Sequence, residues 1–461
     1  MAKNSKITDM TVGSPLRHIL VFAVPLLIGN VFQQLYNMVD SVIVGKFVSA
    51  DALAAVGTCG SMNFLFFSLS SGFAIGIGII VAQYFGAGDE RNVRSSIANS
   101  IYVLGITAIT VSIAGFFVCP FILKLLHCPN NIYPAAVTYM RTTCCGIIFI
   151  AFYNGIASIL RALGDSRTPL YFLILSSVIN LGLDLLFVLV FKKGVFGVAL
   201  ATIISQAVSA VSSMIYAWHK IPYFKLSKQE MEPHSKIIAS SFKLGVPMAL
   251  QSSLIAVSMM MLQGVVNTFG PVVMAAYTIV MRIEQLIQQP FGSLGQAVTN
   301  YSGQNRGAGN LDRVRQGFKI ATLIVTVFCI VVIPVVFFFG KYIVGLFIDG
   351  TKDPQVLEIG SMAMKITCAF YFFLGMIYVP RAVLNGCGDS GFAMINGITE
   401  VVCRILFSQL LTRVVAVKLF NHEIPIGFWG IWITTGLTWM FTSFVCLIRY
   451  KTGKWKTKGV V

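Results

Sequence analysis

The chain has 461 residues, of which 56% are hydrophobic and only 11% are charged. Soluble globular proteins carry about 25% charged residues, so this composition predicts a protein that crosses a membrane several times. No polar stretch is long enough to fold a soluble catalytic domain, and we therefore expect no enzyme activity. The net charge of +17 does not indicate a nucleic-acid partner, because Lys and Arg lie mainly between and after the apolar segments.

Apolar stretches long enough to cross a bilayer, about 20 residues each, divide the chain into twelve candidate spans. They lie at 16–47, 52–84, 95–123, 135–160, 169–191, 195–218, 240–268, 273–301, 317–346, 360–383, 391–416 and 427–448. When the connections are assigned to alternating sides, Lys and Arg accumulate on the side that carries both termini. The positive-inside rule therefore predicts that both termini are cytoplasmic.

A basic polar connection, Lys220–Lys236, separates two halves of six spans, and short motifs recur in the same order in both halves. Val24-Pro25 recurs as Val246-Pro247, Gly86-Ala87-Gly88 as Gly307-Ala308-Gly309, and Gly164-Asp165-Ser166 as Gly388-Asp389-Ser390. Six spans return the chain to its starting side, so the halves should be related by a pseudo-two-fold axis along the membrane normal. The expected organisation is an N-terminal tail (1–15), an N-lobe (16–220), a linker (221–239), a C-lobe (240–449) and a basic tail (450–461).

The first span carries a stripe of polar side chains inside an apolar stretch. Asn30, Gln33, Asn37 and Asp40 follow one another at steps of three, four and three residues, which places them on one face of a helix. A carboxylate within a membrane span is costly and normally faces a cavity, so Asp40 is a candidate functional residue. Pro25 removes a helical hydrogen bond and predicts a bend in the same span.

A second acid lies in the fifth span. Asn180 and Asp184 are four residues apart and share a helix face, and Thr202 lies in the next span. Together with the acid of the first span they offer oxygens that fit either a proton shared by two carboxyl groups or a hard cation such as Na⁺. The repeat aligns the two acids with Leu262 and Ser408, so the acids belong to one lobe. The alternative, polar residues that only hold helices together, would be an expensive use of two carboxylates.

The second half contains two further acids in apolar spans. Glu284 shares a face with Gln288 and follows Arg282 closely, so it is a candidate either for contact with a cationic substrate or for a local ion pair. Glu284 is also a candidate for a role in ion coupling. Glu400 and Arg404 are four residues apart and are expected to pair with each other.

Polar, aromatic and Met side chains suggest a substrate cavity. Met side chains suit promiscuous binding surfaces, although a Met run in a membrane helix also serves plain packing. The candidates are Gln33, Tyr36, Asn37, Tyr139, Asn154, Met260, Gln263, Glu284 and Gln288.

The ten Cys show no metal-ligand spacing and lie mostly in apolar stretches, which predicts small buried hydrophobic side chains. Cys119 and Cys128 flank one turn, and their spacing leaves open whether they form a disulfide.

These features together resemble the multidrug and toxic compound extrusion (MATE) transporters over essentially the whole chain, and the bacterial DinF-like branch most. The resemblance rests on the early Val-Pro with Asp40, the duplicated Gly-Ala-Gly loops, Gly164-Asp165-Ser166 with Arg161 and Pro169, and the Asn180/Asp184 pair. It implies two six-helix lobes in a V shape. It also implies export of drugs or other amphipathic compounds in exchange for H⁺ or Na⁺, without a cofactor.

The resemblance further implies a cation-coupling set in the N-lobe. Its members are Asp40, Asn180, Asp184 and Thr202, with Pro25 as the position at which the first span bends. The family has Ala where this chain has Val198, a small departure because the ligand there is a backbone carbonyl.

The sequence therefore predicts an all-α antiporter of the bacterial cell (inner) membrane that acts on small organic compounds and functions as a monomer. A lipid or lipid-linked saccharide flippase of the same superfamily is the nearest alternative, but the Arg residues in the spans are scattered rather than clustered. An intramembrane aspartyl protease would need Gly directly before one Asp, whereas Leu183 precedes Asp184. A major-facilitator transporter is disfavoured because the loop at 86–91 lacks that family's Gly-Arg-Arg ending.

Overall fold

The computed structural model describes residues 7–125, 128–348, 353–413, 416–419, 422–425 and 427–460. The helices are α1 (Pro15–Ile43), α2 (Ala50–Gly86), α3 (Glu90–Leu125), α4 (Tyr133–Ala162), α5 (Arg167–Leu185), α6 (Gly194–Lys220), α7 (Ser235–Asn267), α8 (Pro271–Gly307), α9 (Leu311–Gly345), α10 (Pro354–Cys368), α11 (Tyr371–Gly386), α12 (Gly391–Arg413) and α13 (Gly430–Lys451). Two antiparallel strands, β1 (Ala416–Leu419) and β2 (His422–Pro425), precede α13. Residues 1–6 of the expected N-terminal tail and residue 461 of the basic tail lie outside the described residues.

Short π-helical turns, Val44–Val48 and Leu186–Val190, continue α1 and α5. Ten of the described helical segments are long and apolar enough to cross a membrane, and α10 with α11 forms an eleventh span bent by 49°. The remaining predicted span is α8, which has 37 residues but a strongly polar face around Gln285 and Gln288.

The span predicted at 360–383 is present, but it is broken into two helices. α10 ends at Cys368 and α11 begins at Tyr371. The break places the ring of Phe370 directly against the backbone of Gly436 in α13, where a Cβ would overlap the ring. Packing between helices, which a hydropathy pattern does not record, therefore sets this bend.

The molecule consists of two lobes, α1–α6 and α7–α13. They meet along α2, α7 and α8, and α1 also packs on α8. Small residues permit the close approach: a Cβ on Gly72 of α2 would lie 2.5 Å from the Cα of Ala249 of α7, and one on Gly76 would lie 2.8 Å from the backbone nitrogen of Gly245. One buried core lies within the N-lobe, and the largest lies mainly in the C-lobe but includes Ile19, Phe22 and Leu26 of α1.

The ends of α2 and α8 cross at the duplicated Gly-Ala-Gly motifs. A Cβ on Gly86 would overlap the carbonyl oxygen of Gln304, and a Cβ on Gly307 would overlap that of Gln83. The same two glutamines bridge the lobes: Gln83 Nε2 donates to the Gly386 carbonyl at 2.8 Å, and Gln304 Nε2 donates to the Ala162 carbonyl at 2.8 Å. The duplicated motifs therefore build a matching pair of contacts that joins the lobes at one face.

Both terminal tails lie on this same face, and each tail contacts the opposite lobe. The backbone nitrogen of Met10 donates to Gln304 Oε1 at 2.8 Å. The backbone nitrogen of Val460 donates to Gln83 Oε1 at 2.7 Å. Gly164, with φ of +87°, makes room for the backbone of Thr8 in the N-terminal tail.

The acidic residue of the duplicated Gly-Asp-Ser motif is used differently in the two halves. Asp165 accepts hydrogen bonds from the backbone nitrogens of Arg167 and Thr168, each at 3.0 Å, at the start of α5. Asp389 instead accepts two hydrogen bonds from Arg449, at 2.8 Å from Nε and at 2.9 Å from Nη2. Asp389 is 4% exposed, so the guanidinium is its principal compensation for burial.

We expect Arg449→Gln to lower the free energy of unfolding by about 1.5–3 kcal/mol, because it leaves the buried Asp389 carboxylate without its bidentate partner. Thermal unfolding in detergent measures the loss. Arg315→Gln is the matched control, since Arg315 pairs with Asp312 at the exposed surface, where an ion pair contributes little. Equal shifts in the two variants would contradict this assignment.

All ten Cys are free thiols, and Cys119 and Cys128 do not form a disulfide. Seven of the ten are buried, as expected for small apolar side chains.

Candidate ion and substrate sites

The two N-lobe acids meet inside the lobe. Asp40 lies near the end of α1 and Asp184 near the end of α5, and the two side chains are neighbours. Asp184 is 1% exposed, and Asp40 is partly buried. A hydrogen bond between two carboxyl groups requires that one of them carries a proton, so this pair can share a proton between two acids.

Asn180 connects the acid pair to its neighbours. With the amide oriented so that both of its ends are satisfied, the nitrogen donates to Asp184 Oδ2 at 2.7 Å and to Tyr36 Oη at 3.0 Å. The amide oxygen then accepts from the backbone nitrogen of Thr202 at 3.1 Å. The opposite orientation offers only a 3.4 Å contact with Thr202 Oγ1, so we assign the first. Thr202 Oγ1 itself donates to the Val198 carbonyl at 3.1 Å.

The set of oxygens also fits a hard cation. Oδ1 of Asp40 and Oδ1 of Asp184 are buried without a hydrogen-bond partner among the described residues, and neither acid forms an ion pair with a described Lys or Arg. Carboxylate, amide, hydroxyl and carbonyl oxygens are the ligands that Na⁺ and similar hard ions prefer. The cluster can therefore hold either a shared proton or a cation displacing that proton.

The helix that carries Asp40 continues through Pro25 without a break. Asn30 lies just over one turn after Pro25 in α1, and its Nδ2 donates to Ser293 Oγ of α8 at 3.0 Å. This bond crosses from one lobe to the other. A bend at Pro25 stays a prediction, and it would have to change this contact.

The other N-lobe candidates divide into two groups. Tyr139 is buried and lies close to Asp40 and to Asn63 of α2. Gln33 donates to Asn37 at 3.3 Å within α1, and Asn154 donates to the Ile150 carbonyl of its own helix. The structure therefore brings Tyr36 and Tyr139 to the acid pair and leaves Gln33, Asn37 and Asn154 outside that cluster.

Asn63 was not among the predicted site residues, and Tyr36 was predicted to line the cavity rather than to contact the acids. Asn63 interrupts an otherwise apolar stretch of α2, which is a usable signal for an inward-facing polar residue. Tyr36 precedes Asp40 by one helical turn, so its position on the same face was also visible.

The C-lobe has a cavity of ≈ 80 Å³ with a mixed apolar and charged lining. Glu284 is 7% exposed and lies next to Thr367 and Arg404 rather than in an ion pair with Arg282, which is exposed. Arg404 Nη2 and Glu400 Oε1 pair at 3.0 Å, as their spacing predicts.

Gln288 lines this cavity together with Glu284. Two Met residues, Met259 and Met281, line its wall, whereas Met260 does not. Gln263 lies outside it and donates to Asn267 of its own helix at 2.9 Å. The periodicity of α7 was clear from the sequence, but the rotation of the helix about its axis was not.

Comparison with known proteins agrees with this architecture. The profile of the MatE family matches residues 25–186 and, a second time, residues 247–410. The chain belongs to the MatE family. The two matches begin at Pro25 and Pro247, the first aligned motif of the two halves, so the internal repeat is confirmed.

This MatE chain is 32% identical to the probable multidrug resistance protein YpnP of Bacillus subtilis, over 98% of each chain. It is 26% identical to the probable multidrug resistance protein YoeA of the same organism, over 96% of this chain and 95% of that protein. Among solved structures, a MOP superfamily transporter from Pyrococcus furiosus has the same fold, with a TM-score of 0.88 at 22% identity over 98% of each chain.

Proposed function

We propose that this protein is a secondary antiporter that exports drugs or other amphipathic and cationic organic compounds in exchange for H⁺ or Na⁺. The contact between Asp40 and Asp184 is the observation that carries the proposal. Two neighbouring acids that can share a proton inside an apolar lobe form a site whose charge changes when an ion enters or leaves. The relatives named as multidrug resistance proteins support the assignment of the cargo.

The coupling follows from the positions of the two acids on different helices. Loading H⁺ or Na⁺ removes the repulsion between the carboxylates and draws α1 towards α5. Loss of the ion restores two like charges in a poorly hydrated site and pushes the helices apart. Because α1 also contacts α8 through Asn30 and Ser293, this motion reaches the seam between the lobes. A bend at Pro25 would allow the Asp40 end of α1 to move while its first turns stay packed.

The orientation and domain limits belong to the same proposal. The face on which the tails meet carries Arg306 and Arg313, in keeping with a cytoplasmic location of both termini in a bacterial cell membrane. The N-lobe then comprises residues 16–220 and the C-lobe residues 240–449, joined by the linker 221–239. In this arrangement the lobes are joined on the cytoplasmic side. We propose that one chain suffices for transport and that no nucleic acid takes part.

Transport in proteoliposomes, with a proton gradient and a sodium gradient imposed separately, tests the proposal. We expect one of the two gradients to drive uptake of ethidium into inside-out vesicles, and its collapse to stop uptake. Transport that is indifferent to both gradients would contradict antiport. Translocation of labelled lipid without ethidium transport would favour the flippase instead.

A further inference from the structure

The C-lobe carries an arginine where the N-lobe carries the amide beside its acid. The repeat that aligns Gly164-Asp165-Ser166 with Gly388-Asp389-Ser390 also aligns Asn180 with Arg404 and Asp184 with Ser408. Asn180 is 1% exposed and Arg404 is 4% exposed, so both positions point into their own lobes. The duplication has therefore placed a fixed positive charge at the C-lobe counterpart of the ion site.

This arginine retains an unused donor. Its Nη2 is paired with Glu400, but its Nε has no hydrogen-bond partner among the described residues. Trp432 of α13 is 1% exposed, and its Nε1 likewise has no partner there. Both side chains line the C-lobe cavity. Two buried donors without acceptors are costly, and donors of this kind are the groups that bind a carboxylate.

The same cavity also contains a buried acceptor that lacks a donor. Glu284 is 7% exposed, and its Oε1 has no hydrogen-bond partner among the described residues. Tyr277, Tyr378 and Trp439 supply aromatic walls. Arg381 also lines the cavity, and its guanidinium lies 4.7 Å from the centre of the Tyr378 ring. The lining thus contains two acids, Glu284 and Glu400, and two arginines, Arg381 and Arg404. The lining is therefore charge-balanced, in contrast to the acid-only site of the N-lobe.

We propose that the C-lobe cavity receives the charged end of zwitterionic aromatic compounds. The carboxylate accepts hydrogen bonds from Arg404 Nε and Trp432 Nε1, and the cationic group lies against Glu284. A cavity of ≈ 80 Å³ is smaller than the roughly 150 Å³ that holds a benzene ring, so only the head group enters. The aromatic body extends past Gln285 at the exposed edge of the cavity. This inference rests on the proposed export function and specifies part of its cargo.

Two forms of one fluorescent aromatic α-amino acid, the free acid and its methyl ester, separate this site from general binding. The methyl ester is a cation and the free acid is a zwitterion, and the two forms share the same aromatic body. Fluorescence polarisation measures the Kd of each form for the purified full-length protein. In the double variant Glu400→Gln/Arg404→Gln, which removes the ion pair without leaving one charge alone, we expect the free acid to bind at least tenfold more weakly. We expect the ester to change by less than twofold.

Trp432→Phe is the second variant, because it removes one donor and keeps the aromatic volume. We expect it to weaken the free acid about threefold or more and to leave the ester unchanged. If the double variant does not fold, Trp432→Phe alone tests the proposed site. Arg141→Gln, an exposed arginine of α4, is the matched control and should change neither Kd.

Equal weakening of both forms, or no weakening of the free acid, would overturn the proposal, since water would then be enough to satisfy these donors. Transport of the ester by the wild-type protein distinguishes a failure of the zwitterion site from a failure of the proposed export function. If the ester is exported and the free acid shows no dependence on Trp432, the zwitterion site is wrong and the antiporter stands. If no ion gradient moves the ester, the proposed function itself fails.

Discussion

Asp184→Asn should reduce gradient-driven ethidium efflux, in a host lacking its own pumps, to the level of cells without the protein. The amide has nearly the shape of the acid, so the packing around Asn180 and Thr202 survives. It cannot release a proton or supply a negative charge to a cation, and the exchange of ion for cargo therefore stops. Efflux of ethidium from preloaded cells measures the loss.

Asp51→Asn is the matched control for this variant, because Asp51 is an exposed carboxylate in the first turn of α2. It should retain wild-type efflux. Immunoblots of the membrane fraction establish that both variants insert equally. Wild-type efflux by Asp184→Asn at equal membrane levels would remove the acid pair from the mechanism.

Gly86→Ala should slow transport tenfold or more. A Cβ at this position overlaps the carbonyl oxygen of Gln304 in the opposite lobe, and a backbone atom cannot move aside as the end of a flexible side chain can. Overpacking of this kind costs about 1–3 kcal/mol, and about 1.4 kcal/mol changes an equilibrium tenfold. The cost falls only on the conformation in which the lobes touch at this face. Initial rates of dye transport in proteoliposomes measure the effect.

Gly105→Ala in α3 is the matched control, since a Cβ there meets nothing within 4 Å. It should transport at the wild-type rate. Amide hydrogen exchange adds a direct readout: exchange at the ends of α2 and α8 should rise in Gly86→Ala and not in Gly105→Ala. Unchanged rates and unchanged exchange in Gly86→Ala would mean that this crossing does not limit the transport cycle.

The sequence allowed the large features of this fold to be predicted because bilayer thickness sets the length of each span, and duplication repeats the motifs. The sequence also predicted that Asn180 and Asp184 share a helix face, since they are one turn apart. The break between Cys368 and Tyr371 was not predictable from hydropathy, because it depends on the packing of Phe370 against Gly436. The same limit applies to Met259 and Met260, whose different environments follow from the rotation of α7.

The contacts between the lobes were the features hardest to predict from the sequence. Gln83 and Gln304 occur at matching places before the two Gly-Ala-Gly motifs, yet only the structure shows that they bond across the seam and hold the tails. Arg404 is a similar case. Its spacing from Glu400 predicted the ion pair, whereas its correspondence to Asn180 gained meaning once both side chains were found to face inwards.

Ion release on cargo binding tests the coupling of Asp40 and Asp184 most directly. Ethidium is added to the purified protein in weakly buffered solution, and a pH indicator or radioactive sodium reports the ion set free. Our account predicts that the wild-type protein releases H⁺ or Na⁺ in proportion to the ethidium bound. The double variant Asp40→Asn/Asp184→Asn should release neither. The same release from the double variant would contradict the account.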